Sequence, residues 1–298
     1  MMPSPTAPSP HIASFLDADT STFTHVVWDT PGGRAAVVDP VLGFQPASGQ
    51  TTLAPLQPVL ALLREQGLTL DWILETHAHA DHLSAAPMLQ RLAGGRIAIG
   101  RHITAVQATF KQQLNLGPDM PTNGQPFDHL FDDGEAFEIG GLRAQAWHVP
   151  GHTPADLAYV VGPAVFVGDT LFPPDVGTAR CDFPGGDAQQ LYRSARRLLA
   201  LPDSTQLYMC HDYPSDGRAP RAWTSVAEQR QANIHVRDGL DEADFVALRR
   251  ARDATLAPPR LVLPAIQVNI RAGHWPAPEA DGRVYLKQPL LAPDWAAP

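Results

Sequence analysis

The chain has 298 residues, a net charge of −9 and a sequence pI near 5.7. Hydrophobic residues make up 44% and charged residues 18%, which is ordinary for a globular protein. An acidic chain without a Lys/Arg cluster binds nucleic acid poorly, so nucleic acid is excluded as a partner. No apolar run approaches the roughly 20 residues that span a bilayer, which excludes a membrane protein.

The N-terminus and the cysteines indicate the cellular compartment in which the protein is found. Residues 1–10 carry four prolines and are predicted to be disordered. They contain neither the basic start nor the apolar segment of a secretory signal. Cys181 and Cys210 cannot form a disulfide framework, and we expect both to be small buried hydrophobic side chains. These features predict a cytoplasmic protein.

The first half of the chain is predicted to begin with strands. A Pro-Gly-Gly turn separates two β-rich runs within 22–41, which predicts a hairpin. Apolar residues at helical spacing predict a helix over 53–67 that ends at Gly67. A short buried strand is expected over 70–76. The next elements are a helix over 84–94 and a strand over 96–100.

The second half of the chain shows a similar succession of predicted strands and helices. A Gly-Gly turn divides 135–149 into two strands, and Gly162-Pro163 divides 157–169 in the same way. An amphipathic helix is predicted over 188–202 and a strand over 206–213. Two strand-rich halves, each followed by helices, predict two sheets packed face to face with helices outside. The other predicted regions are a single domain over 11–274, a polar and helix-rich stretch over 214–260, and a Pro/Ala-rich tail over 275–298.

A dense motif follows the predicted strand over 70–76, with His77, His79, Asp81 and His82. The chain holds 12 histidines, so H-x-H-x-x-H spacing is expected by chance only about 0.02 times. His77 and His79 are two residues apart at a strand end, so both imidazoles can point to the same side. Imidazole suits zinc and iron, and a carboxylate adds charge that neutralises a dication. The motif therefore predicts a metal site.

Three further candidate ligands, His152, Asp169 and His211, each follow a strand-like run. Strands that share a direction end at one edge of a sandwich, which is how distant residues converge. Taken singly, Asp169 before Thr170 is typical of a turn or N-cap, and a lone histidine after a strand is typically structural. The set and its order predict the metal centre.

The order HAHADH, GHTPAD, GDTLF and HDY resembles that of the metallo-β-lactamase superfamily, from about residue 22 to residue 271. The resemblance implies an α/β fold of the α+β type, an αββα sandwich of two mixed β-sheets with helices outside. In dinuclear members, residues matching His77, His79 and His152 hold one metal. Residues matching Asp81, His82 and His211 hold the other, and the match to Asp169 bridges the two.

Residues 177–187, GTARCDFPGGD, resemble the G-x-x-R-x-D-F-x-x-G-D signature of persulfide dioxygenases, and 264–273 resemble that family's C-terminal segment. The resemblance implies one Fe(II) per chain and the oxidation of glutathione persulfide by O₂ to sulfite and glutathione. A homodimer is the assembly that it suggests. The implied iron ligands are His77, His152 and Asp169. The remaining motif residues then surround the iron or hold a second metal: His79, Asp81, His82 and His211.

Four side chains are predicted to bind the substrate: Arg180, Tyr213, Asn269 and Arg271. The planar guanidinium of Arg180 suits a substrate carboxylate, and the alternative is a salt bridge to Asp182 or Asp187. Tyr213 can hydrogen-bond the substrate or a bound oxygen, or be a buried tyrosine with a satisfied hydroxyl. Asp81 and Tyr213 are the predicted catalytic residues. Six histidines outside the motifs are expected at the surface: His11, His25, His102, His129, His235 and His274.

Two other functions fit the same motifs. A glyoxalase II-like hydrolase would use one or two Zn(II) ions and a bridging hydroxide to cleave a thioester. Only the segments 177–187 and 264–273 favour the dioxygenase over this hydrolase. A metal-binding sensor without catalysis is the second alternative, although an open site beside a strand edge differs from a closed structural metal site.

Overall fold

The computed structural model describes residues 9–214 and 217–290. Most of the predicted disordered segment 1–10 and the end of the predicted tail 275–298 lie outside these residues. The domain boundaries at 11 and 274 stay a prediction. No helix in the described ranges is long and apolar enough to cross a membrane.

The first sheet has six strands in the order β1-β2-β3-β6-β8-β9. The first three strands pair antiparallel and the last four pair parallel, so the sheet is mixed. A small sheet, β5-β4-β7, lies beside it. The strands are β1 His11–Asp17, β2 Thr22–Trp28, β3 Arg34–Val38, β4 Val41–Gln45, β5 Gln50–Thr52, β6 Thr69–Leu74, β7 Leu83–Ser84, β8 Arg96–Gly100 and β9 His129–Phe131.

The second sheet has six strands in the order β10-β11-β12-β13-β14-β15, and only β13 and β14 pair parallel. Because β11 and β13 are both antiparallel to β12, the strands β11, β13 and β14 share one direction. The strands are β10 Ala136–Ile139, β11 Leu142–His148, β12 Leu157–Val161, β13 Ala164–Phe166, β14 Gln206–Tyr208 and β15 Trp223–Ser225.

Seven α-helices cover the outer faces within the described residues. α1, α2, α3 and α7 contribute apolar side chains to the core outside the first sheet, and α4, α5 and α6 to the core outside the second. The helices are α1 Gln57–Glu65, α2 Ala86–Ala93, α3 Ile103–Gln113, α4 Ala188–Leu199, α5 Val226–Ala232, α6 Glu242–Asp253 and α7 Val262–Asn269.

A third core lies between the two sheets, where apolar side chains alternate inward along the strands. Val38 and Leu74 of the first sheet meet Tyr159 and Phe166 of the second, and all four are fully buried. Removing apolar surface from water stabilises the folded chain by about 25 cal/mol per Å². The contacts between these buried side chains therefore hold the two sheets together. The layers are therefore helices, sheet, sheet and helices, which confirms the predicted αββα sandwich.

Several elements differ in extent from their predictions. The predicted helix 53–67 begins as a 3₁₀ turn at Ala54–Leu56, continues as α1 and ends before Gly67, whose φ is +64°. The predicted strand 206–213 is shorter, because β14 ends at Tyr208. The tail is anchored where Lys287 exchanges two backbone hydrogen bonds with the Gln267 side chain.

Candidate metal centre

The sandwich brings the strand ends that carry the motifs to one edge. His77 follows β6, His152 follows β11, Asp169 follows β13 and His211 follows β14. The imidazole Nε2 atoms of His77 and His152 lie 3.9 and 3.6 Å from one carboxylate oxygen of Asp169. One ligand atom from each of these three residues lies within 4.8 Å of the others. The structure thus groups the three residues predicted for iron.

Hydrogen bonds fix which nitrogen of His77 and His152 faces this group. His152 donates from Nδ1 to the carbonyl oxygen of Arg180 at 2.7 Å. The Thr76 hydroxyl donates to Asp39 at 2.9 Å, so it accepts from Nδ1 of His77 at 3.0 Å. Both Nε2 atoms are left as acceptors. A ring N–H donated to a carbonyl, hydroxyl or carboxylate is the arrangement that orients metal-binding histidines.

His79 is oriented by two buried carboxylates. Its Nε2 donates to Asp39 Oδ1 at 3.0 Å, and Glu75 Oε2 lies 3.6 Å away. Asp39 adopts a φ of +50°, and the backbone N–H of Thr76 fixes its carboxylate at 2.8 Å. This strained aspartate therefore positions both His77, through Thr76, and His79.

Six buried atoms of the motif have no hydrogen-bond partner in the described part of the chain. A buried polar atom without a partner costs about 1–3 kcal/mol, so a cluster of them needs an explanation. All six are nitrogen or carboxylate oxygen atoms, which are the donors that zinc and iron accept. A metal centre therefore fits these residues. The atoms are His77 Nε2, His79 Nδ1, Asp81 Oδ2, His82 Nε2, Asp169 Oδ1 and His211 Nε2.

The electrostatics divide the histidines into two kinds. Burial, helped by the neighbouring imidazoles, lowers the pKa of His77 well below its usual value and that of His82 to about 3. Burial also opposes a charge on His79 and His211, but Asp39 and Asp81 respectively outweigh it and raise both pKa values. His77 and His82 are thus neutral with free lone pairs, whereas metal binding at the other two must displace protons.

A cavity of about 180 Å³ opens onto this group. Asp81, His152 and Asp169 form its floor, and Tyr213 stands at its mouth with 48% of its surface exposed. The Tyr213 ring stacks on His211 with ring centroids 5.7 Å apart. The alternative that Tyr213 is a buried tyrosine with a satisfied hydroxyl is therefore wrong. The cavity is also lined by Phe172, Phe183, Arg180, Arg249 and Arg252.

Arg180 lines the cavity, but its guanidinium is already engaged. It binds both carboxylate oxygens of Asp182, at 2.5 and 2.6 Å, and donates to the carbonyl oxygen of Ala257. Asp187, the other salt-bridge candidate, instead caps α4 by accepting from the backbone N–H of Gln190. The geometry therefore favours the salt-bridge alternative, and a contact between Arg180 and a substrate stays a prediction.

Asn269 and Arg271 do not line this cavity and bond to other parts of the chain, so their contact with a substrate stays a prediction. The Asn269 amide donates to the carbonyl oxygens of His79 and His82 and accepts from the backbone N–H of Ser84. Asn269 thus fixes the loop that carries the histidine motif. Arg271 donates to Gln267 and pairs with Asp119 at 3.2 Å, beside a separate surface cavity.

A buried ion pair that the sequence did not single out supports the loop before Arg180. Arg249 and Asp253 of α6 are only 1% and 6% exposed and pair at 2.7 Å. Arg249 donates to the carbonyl oxygen of Thr178, and Asp253 accepts from the backbone N–H of Cys181. The pair therefore holds both sides of the carbonyl group that orients His152.

Two histidines predicted at the surface are buried. His25 is 1% exposed, donates to the carbonyl oxygen of Met209 and contacts the hydroxyl of Ser14. His235 is 4% exposed and accepts from the backbone N–H of Thr178. Both surface predictions are wrong because these rings satisfy their nitrogens inside the protein, and burial lowers both pKa values to about 4. Cys181 and Cys210 are buried, as predicted.

Curated relatives match nearly the whole chain. A probable metallo-hydrolase from Burkholderia pseudomallei is 50% identical over 94% of the chain and 99% of its own length. Glyoxylase B2 from Dictyostelium discoideum is 44% identical over 94% of the chain and 96% of its own length. The mitochondrial persulfide dioxygenase ETHE1 from Homo sapiens is 26% identical over 85% of the chain and 84% of its own length.

Among solved structures, ETHE1 from Myxococcus xanthus superposes with a TM-score of 0.70 at 29% identity. That likeness covers 89% of this chain and all of the other. Residues 18–211 match the metallo-beta-lactamase superfamily domain, which spans the strand ends from His77 to His211. Together with the sandwich and its motif residues at one sheet edge, these matches show that the chain belongs to the metallo-beta-lactamase superfamily.

Proposed function

We propose that the protein is an Fe(II)-dependent persulfide dioxygenase. The reaction is the oxidation of glutathione persulfide by O₂ and water to sulfite and glutathione. The observation that carries the proposal is the separate grouping of His77, His152 and Asp169 beneath the cavity. Two histidines and one carboxylate on one face are typical of non-haem Fe(II) oxygenases and leave positions open. The likeness to two proteins named ETHE1 supports the same choice.

In this proposal His77, His152 and Asp169 hold the iron, one ion per chain. Iron supplies the redox chemistry that lets ground-state O₂ react with a closed-shell sulfur compound. The chain itself must hold the reactants together, because placing two partners side by side makes their reaction intramolecular. Phe172 and Phe183 line the cavity and place apolar side chains beside that position.

Asp81 and Tyr213 are placed to handle protons in this reaction. Both side chains line the cavity beside His152, and Asp81 Oδ2 lies 3.2 Å from His211 Nε2. A phenol titrates at a pKa of about 10, so the Tyr213 hydroxyl is protonated at neutral pH and can donate a hydrogen bond to the substrate. Burial opposes a charge on Asp81, but His211 and His82 outweigh it and lower its pKa, so Asp81 is an ionised acceptor.

A glyoxalase II-like metallohydrolase is the second candidate. The 44% identity to Glyoxylase B2 favours it, as does the presence of all seven ligand-type residues. This hydrolase would use zinc at one or both positions and a hydroxide that attacks a thioester carbonyl. The two candidates therefore differ in their need for O₂ and for a redox metal.

Two assays on two metal forms decide between them. The protein is stripped of metal and reloaded with Fe(II) under anaerobic conditions or with Zn(II). Oxygen uptake and sulfite are measured with glutathione persulfide, and thioester cleavage with S-lactoylglutathione. We expect oxygen uptake and sulfite only in the iron form, because zinc has no redox chemistry. Thioester cleavage by the zinc form without oxygen uptake by the iron form would establish the hydrolase instead.

A further inference from the structure

Three arginines line the cavity that opens onto the iron triad, and they differ in how their charge is balanced. Arg180 binds both carboxylate oxygens of Asp182, and Arg249 pairs with Asp253 at 2.7 Å. Arg252 makes no ion pair and donates no side-chain hydrogen bond within the part of the chain that the structure describes. Its positive charge is therefore left without a neutralising partner among these residues.

The position of Arg252 follows from the geometry of α6. Arg249 and Arg252 are three residues apart, so their side chains leave the same face of the helix. Leu256 continues this face in the turn after α6, where its backbone N–H donates to the carbonyl oxygen of Asp253 at 3.0 Å. All three side chains line the cavity, but Arg249 is buried and Arg252 is exposed. Arg252 thus meets the cavity where solvent and ligands reach it.

The neighbouring carboxylates are already engaged, so they do not compete for Arg252. Asp253 is held by Arg249, and Asp182 is held by Arg180. The chain as a whole carries a net charge of −9, which disfavours the approach of anions. A guanidinium group without a partner at the cavity reverses that preference locally, because attraction between exposed charges extends over about 10 Å at 0.1 M salt.

We propose that Arg252 binds a carboxylate of the persulfide carrier and makes the protein select carriers that are anionic at the end remote from the sulfur. The inference rests on the proposed function and names the residue that recognises its substrate. In glutathione persulfide the glycyl carboxylate fits this role, because the γ-glutamyl carboxylate stands beside its own ammonium group. The planar guanidinium can bind a carboxylate through two parallel hydrogen bonds. The sulfur end is then left to face His152 and Asp169 at the floor of the cavity.

Binding of S-methylglutathione tests this contact without turnover, because a methyl group replaces the outer sulfur of the persulfide. Isothermal titration calorimetry of the iron-loaded protein under anaerobic conditions gives the Kd for this ligand. The same measurement is made with its glycyl ethyl ester, in which that carboxylate is uncharged. We expect the parent to bind the ester about 10-fold more weakly, because a charge-assisted hydrogen bond is lost. Added salt should weaken binding of the acid more than binding of the ester.

The variant Arg252→Met should lose this discrimination. It should bind S-methylglutathione about 10-fold more weakly than the parent does, and it should bind the acid and the ester with the same Kd. Arg252→Lys keeps the charge without the planar fork, so its Kd should fall between the two. Arg250→Met is the matched control, because Arg250 is also exposed on α6 but lines a separate surface depression beside Asp187. This control should keep the parent's Kd for both ligands.

A parent that binds the acid and the ester equally, or binds neither, would overturn the proposal, and this result needs no variant to fold. An Arg250→Met variant that loses as much affinity as Arg252→Met would also overturn it. Because binding is measured without turnover, these outcomes do not depend on the reaction. Absence of oxygen uptake with glutathione persulfide would instead refute the proposed function, while a preference for the acid that depends on Arg252 would still support its role.

Discussion

Substituting Arg249 by methionine should sharply destabilise the protein. Arg249 is 1% exposed, and its guanidinium pairs with Asp253 at 2.7 Å. Removing the cation leaves the Asp253 carboxylate buried, with the backbone N–H of Cys181 as its remaining donor in the described chain. Breaking a buried pair in this way costs about 3–5 kcal/mol. That is a large share of a free energy of unfolding of about 5–15 kcal/mol.

Urea denaturation of the metal-free protein measures this loss, because the midpoint and slope give the free energy of unfolding. The matched control is Arg193→Met, since Arg193 is 66% exposed and pairs with Glu242 at 3.0 Å. Such surface pairs contribute about 0–1 kcal/mol. The double variant Arg249→Met/Asp253→Leu should recover most of the stability, because it removes the unpaired charge. A single variant no less stable than Arg193→Met would refute the reasoning.

Three further outcomes are expected. Asp169→Ala should abolish stoichiometric iron binding because it removes the only carboxylate of the triad, and unchanged iron content by elemental analysis would contradict that assignment. Asn269→Ala should lower the free energy of unfolding by about 3 kcal/mol, since it leaves two buried carbonyl oxygens and one N–H of the motif loop unsatisfied. Burial holds the pKa of His25 near 4, below its unfolded value of 6.5, so the unfolded chain binds more protons between these values. Stability should therefore fall as the pH drops from 6.5 to 4, by up to about 3 kcal/mol from this group, and His25→Gln should reduce that loss in denaturant titrations.

The metal-binding residues could be predicted because their signal is local. His77 and His79 stand at fixed spacing, and His152, Asp169 and His211 each follow a strand, so the pattern alone places them at one edge. The sandwich was predictable for the same reason, since paired strand runs and glycine turns are local features. Short elements with few residues, such as β5 and β9, carry no periodic signal and were missed.

The roles of Arg180, Asn269 and Arg271 could not be predicted because they depend on neighbours that are distant in the sequence. Asn269 binds carbonyl groups about 190 residues away, and nothing near Asn269 in the chain indicates this. His25 has no evident hydrogen-bond partner nearby in the sequence. Its partner, the carbonyl oxygen of Met209, is brought beside it only by the fold. The identity of the metal-binding residues could thus be predicted from their spacing, whereas the hydrogen bonds that orient these residues could not.

The carbonyl group of Arg180 has a consequence for how this protein can change over evolution. Its side chain lines the cavity, while its main chain orients His152. Any residue type at position 180 supplies the same carbonyl oxygen, so the cavity wall can vary without disturbing the metal. An insertion or deletion in this loop would move the carbonyl group itself. Divergence of substrate range in such a chain should therefore proceed by substitutions in the loop, while its length is retained.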